Sequence, residues 1–85
     1  MSRYRVAVQV VPRRGLLDPQ GKAVADALHT LGFDGVASVH VGRHLVLDLD
    51  ANDESAARQL TREMCERLLA NPVTEDFEIA EVKAT

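Results

Sequence analysis

His40, His44 and Cys65 belong to the residue types that hold transition metals, so metal binding is the first chemistry to weigh. Zinc needs four ligands, or three and a water, converging on one ion. On a single extended strand His40 and His44 share a face but stand about 13 Å apart. No third ligand is fixed beside them by spacing, and the pair reads as two surface imidazoles near a bend. Cys65, Ser38 and Ser55 are the candidate nucleophiles. Each would need a base beside it and a group to orient that base, and no spacing in the chain supplies either. Cys65 adjoins the apolar stripe of a helix, where a free thiol acts as a small hydrophobe. His29 follows Asp26 by three residues, which reads as a solvated helix face and not as a catalytic pair. Arg13, Arg14 and Arg43 carry phosphate-binding donors. No glycine-rich phosphate cradle accompanies them, so they suit a docking surface more than an anion site.

Periodicity gives the elements that must position these residues. The organising stretch is Leu16 to Phe33, LLDPQGKAVADALHTLGF. Asp18 has the chemistry of a helix cap, and Pro19 suits the first turn because its missing N–H would have no partner there. Val24, Ala27, Leu28 and Leu31 recur at helical steps as a stripe that needs a sheet to cover it. Gly32 tolerates the left-handed conformation that ends many helices. Before this helix, Arg3 to Val11 alternates, with Tyr4, Val6, Val8 and Val10 on one face and Arg3, Arg5, Ala7 and Gln9 on the other. Pro12 ends that ladder.

Residues 36–50 place Ala37, Val39, Val41, Leu45, Leu47 and Leu49 on one parity. A two-residue hairpin at Gly42-Arg43 would turn His44, Val46 and Asp48 inward and is rejected. A three-residue loop over 42–44 pairs Val41 with Leu45. The other option is one bent strand through Gly42. Fifteen extended residues span about 50 Å, against a radius of gyration near 12–13 Å for a compact domain of this size. The long strand would have to reach into a partner subunit.

Asn52 and Asp53 cap a second helix. Its predicted stripe is Ala57, Leu60, Met64 and Leu68, widened by Ala56 and Cys65. Glu54/Arg58, Arg62/Glu66 and Glu63/Arg67 sit four apart on a solvated face, and Pro72 stops the helix. A last strand turns Phe77 and Ile79 inward, with a bulge or the end of pairing near Ala80. The expected fold is α+β over one domain, residues 1–85: an antiparallel sheet with two helices on one face, in the order β-α-β(β)-α-β, related to ferredoxin-like domains. Its other sheet face would show Arg5, Ala7, Gln9, Ser38, His40 and Val46.

A formal charge of −3 argues against broad phosphate-backbone contact. Tyr4 and Phe77 fall on core faces, which leaves few aromatics for base stacking. Nucleic acid is therefore not an expected partner. No apolar run is long enough to cross a bilayer, and no signal peptide opens the chain. With one cysteine and no internal disulfide, a cytoplasmic setting is expected.

LDPQG followed by AVADALHTLGF, VHVGRHLVLDL in the middle, and EMCERLLANPVTEDF near the end together resemble the PurS family. The resemblance covers essentially the whole chain, with Arg43 standing where lysine is common. It implies the small subunit of phosphoribosylformylglycinamidine (FGAM) synthase, an ATP- and glutamine-dependent C–N ligase of de novo purine (IMP) biosynthesis. It further implies that a PurL-like synthetase subunit and a PurQ-like glutaminase subunit do the chemistry, using ATP, Mg and glutamine. The PurS-type chain then joins the two and assists ammonia transfer, as a homodimer or a tetramer. No catalytic residue, cofactor or metal is expected in this chain. A bridging chain needs contact surfaces, and the candidates are Asp18, Pro19, Gln20 and Gly21 at the helix entry, Gly42 and Arg43 at the bend, and Asn71, Pro72, Glu75 and Asp76 before the last strand. The rival reading is a ferredoxin-like regulatory module that binds a small molecule.

Overall fold

The computed structural model describes residues 1–15 and 18–85. Leu16 and Leu17, which open the LLDPQG stretch, lie outside the described residues. The order is β1 (Ser2–Pro12), α1 (Pro19–Thr30), β2 (Arg43–Ala51), α2 (Glu54–Met64) with a π-helical turn over Cys65–Leu69, and β3 (Glu75–Ala84). β1 is the central strand of an antiparallel sheet ordered β2-β1-β3. Its alternation is as the sequence predicts: Val6, Val8 and Val10 are fully buried. Leu45, Leu47 and Leu49 from β2, and Phe77, Ile79 and Val82 from β3, pack around them. Val8 pairs with Ile79 while Ala7 pairs with Glu81, which leaves Ala80 as an extra residue. This bulge, expected near Ala80, lets Ile79 and Val82 point inward despite their odd spacing. On the outer face Arg3 pairs with Asp50 at 2.6 Å and Arg5 with Asp48 at 2.9 Å, each directly across β1 and β2.

The three-residue hairpin is not formed. β2 begins at Arg43, opposite Val10, and among the described residues 36–42 have no ladder partner. The single bent strand over 36–50 is not formed in full either: the chain runs through Gly42 without a hairpin, but only Arg43–Ala51 is strand. Ser38 and His40 accordingly leave the outer sheet face, where His44 and Val46 remain beside Arg5 and Ala7.

α2 crosses all three strands, and it does so on small side chains. Ala57, Thr61 and Cys65 are fully buried. The Thr61 hydroxyl donates to the Ala57 carbonyl at 2.9 Å, which satisfies it in place and allows a polar residue at the contact. The predicted stripe is therefore displaced, with Leu60 and Met64 at its margin. A π turn advances less around the axis per residue than an α turn. Its register brings Leu69 against the core and leaves Leu68 82% exposed, correcting the inward place expected for Leu68.

α1 is terminated as its sequence dictates. Gly32 has φ +97 and donates to the His29 carbonyl, and Phe33 donates to the Leu28 carbonyl, a Schellman ending. The helix lies off its own sheet, however, and packs along residues 36–41. It buries Gly21 and Ala25 there, leaving Val24 42% and Leu31 72% exposed. The molecule is accordingly drawn out to 52 × 26 × 14 Å with a radius of gyration of 16.4 Å. A compact chain of this length would have about 12 Å.

Candidate partner interface

The predicted contact residues fall into two clusters, each built around one carboxylate. In the first, Asp18 caps α1: its Oδ1 accepts from the Gly21 amide at 3.0 Å. Its Oδ2 accepts from the Val41 amide, also at 3.0 Å, twenty-three residues along the chain. The side chain is only 11% exposed, with His40 Nδ1 3.8 Å from Oδ2. The Gly21 and Val41 amides hold the Asp18 carboxyl below the usual carboxylate range, and His40 acts in the same direction. Gly21 is buried because the Val39 carbonyl lies where a β-carbon would stand. His29 completes the clasp by donating from Nε2 to the Val36 carbonyl at 2.7 Å. Pro19 and Gln20 face outward on the first turn.

The second cluster gathers Arg43, Asn71 and Glu75. Arg43 Nη2 donates to the Leu69 carbonyl at 2.9 Å and to Glu75 Oε1 at 2.8 Å. That oxygen also accepts from the Asn71 amide at 2.8 Å, and Asn71 Oδ1 accepts from the Val73 amide. One cation thus satisfies the end of the π-helical turn and fixes the loop into β3. Pro72 and Asp76 remain exposed, with Asp76 paired to Arg13 at 3.2 Å. Gly42 joins the clusters, since the Val10 carbonyl occupies the space a side chain would need.

Sequence reasoning places Asp18, Gly21 and Asn71 correctly at or beside helix ends, but Glu75 and Asp76, expected before the last strand, are the first two residues of β3, and Arg43 opens β2. It misses the partners that give Asp18 and Arg43 their second bonds, since both are long-range. It misses His29 as a fastener as well. The metal and nucleophile candidates do not converge: His44 lies on the outer sheet face, His40 beside Asp18, and Cys65 in the core on the opposite side of the sheet. Burial pushes the Cys65 thiol upward, away from thiolate character. Among the described residues no group of three or more potential ligands surrounds a metal position. No helix there is long and apolar enough to cross a membrane.

Comparison with known proteins follows the same outline. The family model described as PurS, phosphoribosylformylglycinamidine (FGAM) synthase, matches residues 5–83. A Bacillus subtilis phosphoribosylformylglycinamidine synthase subunit PurS is 42% identical over 83 residues, covering 95% of this chain and 98% of the relative. The corresponding Synechocystis subunit is 43% identical over 74 residues, covering 87% and 74%. A solved B. subtilis PurS structure superposes with a TM-score of 0.82 at 41% identity, over 94% of this chain and 98% of the other. A chain in the structure of PurLQS from Thermotoga maritima gives 0.82 at 27% identity over the whole of both chains. With its fold, its length and nearly all its residues matched, this chain belongs to the PurS family of FGAM synthase subunits.

Proposed function

We propose that this chain is the bridging subunit of a phosphoribosylformylglycinamidine synthase in de novo purine biosynthesis, working in the cytoplasm. It joins a PurL-like synthetase subunit to a PurQ-like glutaminase subunit and helps ammonia pass between them. The match over residues 5–83 carries this reading, and the likeness to a chain of a PurLQS assembly supports it. Ammonia released into water at neutral pH is largely protonated and ceases to be a nucleophile. A junction that excludes water keeps it reactive and close to its target. Such work needs a firm scaffold and recognition surfaces, not a nucleophile. Cys65, buried with its thiol pKa raised, suits packing and not the glutaminase role. ATP, Mg and glutamine are used by the partner subunits, and this chain holds no cofactor of its own.

Docking is assigned to the helix entry at Asp18, Pro19, Gln20 and Gly21, the bend at Gly42 and Arg43, the loop at Asn71 and Pro72, and the start of β3 at Glu75 and Asp76. Asp18, Gly21, Arg43 and Glu75 give these surfaces their shape through the bonds described above. Pro19, Gln20, Asn71, Pro72 and Asp76 present them. The chain also associates with itself, because α1 leaves an apolar flank that its own sheet does not cover.

Reconstitution with the two larger subunits tests the reading. Glutamine-dependent amidination should require this chain, ammonia-dependent amidination should not, and Cys65→Ala should support both. Turnover by the isolated chain, or undiminished glutamine-dependent synthesis without it, would overturn the proposal.

A further inference from the structure

A cleft of about 360 Å³ opens between the last turns of α2 and the start of β3. Cys65 and Ala70, both buried, form its floor, and Phe77 forms one side. A small-molecule site has this make-up, an apolar lining with a few placed polar groups, and such sites enclose about 300–1,000 Å³. The cleft lies at the small end of that range, which suits a ligand of few atoms.

Five charged side chains stand around the apolar floor: Arg13, Arg62, Glu66, Glu75 and Asp76. Three of them are already satisfied. Arg13 pairs with Asp76 at 3.2 Å, and Glu75 pairs with Arg43 at 2.8 Å. Arg62 and Glu66 are left over. Their spacing predicts an ion pair along the helix, but Arg62 lies over the Phe77 ring instead, 5.9 Å from its centroid. Glu66 belongs to the π-helical turn and leaves the α-helical register that would set it beside Arg62. Among the described residues neither has an ion-pair partner. Both lie close to the floor: burial raises the Cys65 thiol pKa, Arg62 lowers it and Glu66 raises it.

We propose that this cleft binds a free α-amino acid, with its carboxylate on Arg62, its ammonium on Glu66 and its side chain over Cys65 and Ala70. Stacking on Phe77 occupies the face of the Arg62 guanidinium and leaves its in-plane N–H donors free for a carboxylate. A simple anion would meet the Glu66 carboxylate, and a simple cation would meet the Arg62 guanidinium. Only a ligand carrying both charges satisfies both groups without opposing like charges. The two contacts stand at an open rim, where water screens them, so binding is weak and falls in the millimolar range of a metabolite. Binding here does not depend on the bridging role, and its failure would leave that role untouched.

Amide chemical-shift titration of the full chain tests the site. The probe is L-glutamine, a neutral amino acid whose side-chain methylenes suit the floor. The amides of Arg62, Cys65, Glu66, Ala70 and Phe77 should shift and saturate at millimolar glutamine, while those of Val24 and Leu28 in α1 stay in place. N-acetyl-L-glutamine lacks the ammonium and L-glutaminamide lacks the carboxylate, and each should bind about tenfold more weakly. Shifts that do not saturate, or equal binding of either derivative, would overturn the proposal. Arg62→Gln and Glu66→Gln should each weaken glutamine binding about tenfold, whereas Arg67→Gln, outside the cleft, should match the parent. Glu66 is exposed and touches no core residue through a bond, so Glu66→Gln keeps the test valid if Arg62→Gln disturbs Phe77. Undiminished binding by Glu66→Gln overturns the assignment.

Discussion

The body of the molecule, sheet plus α2, and its arm, α1 plus residues 36–42, are held together by different physics. The body rests on fully buried Val6, Val8, Val10, Ala57 and Cys65, and on register across two strand pairs. The arm has two buried residues on its helix, Gly21 and Ala25, together with the Asp18 and His29 hydrogen bonds. Non-directional burial tolerates small errors of geometry, whereas the arm depends on a few atoms at defined distances. The difference suits the bridging role proposed above, in which the body would serve as platform and the arm as recognition surface.

The largest effect should come from placing a charge in the body. Val8→Asp would bury a carboxylate against Val6, Val10 and Leu45 with no partner, at a cost of more than about 4 kcal/mol. Thermal unfolding should show loss of the folded state throughout. If circular dichroism and melting were unchanged, the body would not be the platform described. In the arm, Gly21→Ala places a β-carbon against the Val39 carbonyl and should cost about 1–3 kcal/mol, confined to the contact between α1 and residues 36–41. Amide exchange should quicken at Val41 while the amides of β1 stay protected. Equal loss of protection in β1 would erase the distinction between the two parts.

Arg43 lies at the seam between body and arm, and its replacement sharpens the boundary. Arg43→Met removes the donor to the Leu69 carbonyl and to Glu75 but keeps an aliphatic stem of similar reach. The side chain is half exposed, so the loss should be about 1 kcal/mol. Exchange at Asn71 and Val73 should quicken while Val41 stays protected. Faster exchange at Val41 would place Arg43 in the arm instead.

The body was far more legible in the sequence than the arm. Alternation in Arg3 to Val11, the parity of Leu45, Leu47 and Leu49, and the broken spacing at Ala80 each follow from local geometry, and each is observed. Two errors arose where packing overrode hydropathy. Thr61 replaced a leucine at the sheet contact because its hydroxyl is satisfied by its own helix. Leu68, expected inward, turned outward because a π turn leaves no periodic signature in five residues. The arm was legible only in its caps. Asp18 and Gly32 announce where α1 begins and ends, but nothing in the α1 stripe shows that its own sheet will not receive it. The same limit applies to the candidate site: Asp18 and Gly21 were found at a helix entry and Arg43 at a bend, while the close approach of Gly21 to the Val39 carbonyl and the bonds joining Asp18 to Val41 and Arg43 to Leu69 are set by tertiary structure.

The smallest effect at neutral pH distinguishes body from arm by acid. Asp18 has its pKa lowered by the Gly21 and Val41 amides, and Asp50 by its hydrogen bond and ion pair with Arg3. A carboxyl whose pKa is lower in the folded than in the unfolded chain stabilises the fold above the unfolded value. That contribution is lost as the pH falls through the folded value. Both contributions are therefore intact at neutral pH and disappear from about pH 3.8 downward. Asp18→Asn keeps one side-chain oxygen to accept from Gly21 or Val41 but not both, and it removes titration from the arm alone. The variant should show modestly faster exchange at Val41 at pH 7, and protection there should no longer fall with acid. The acid response of β1 and β2 near Asp50 should match the parent. If Val41 in Asp18→Asn still lost protection below pH 3.8 as the parent does, the arm's acid sensitivity would come from the body, through the Arg3–Asp50 pair.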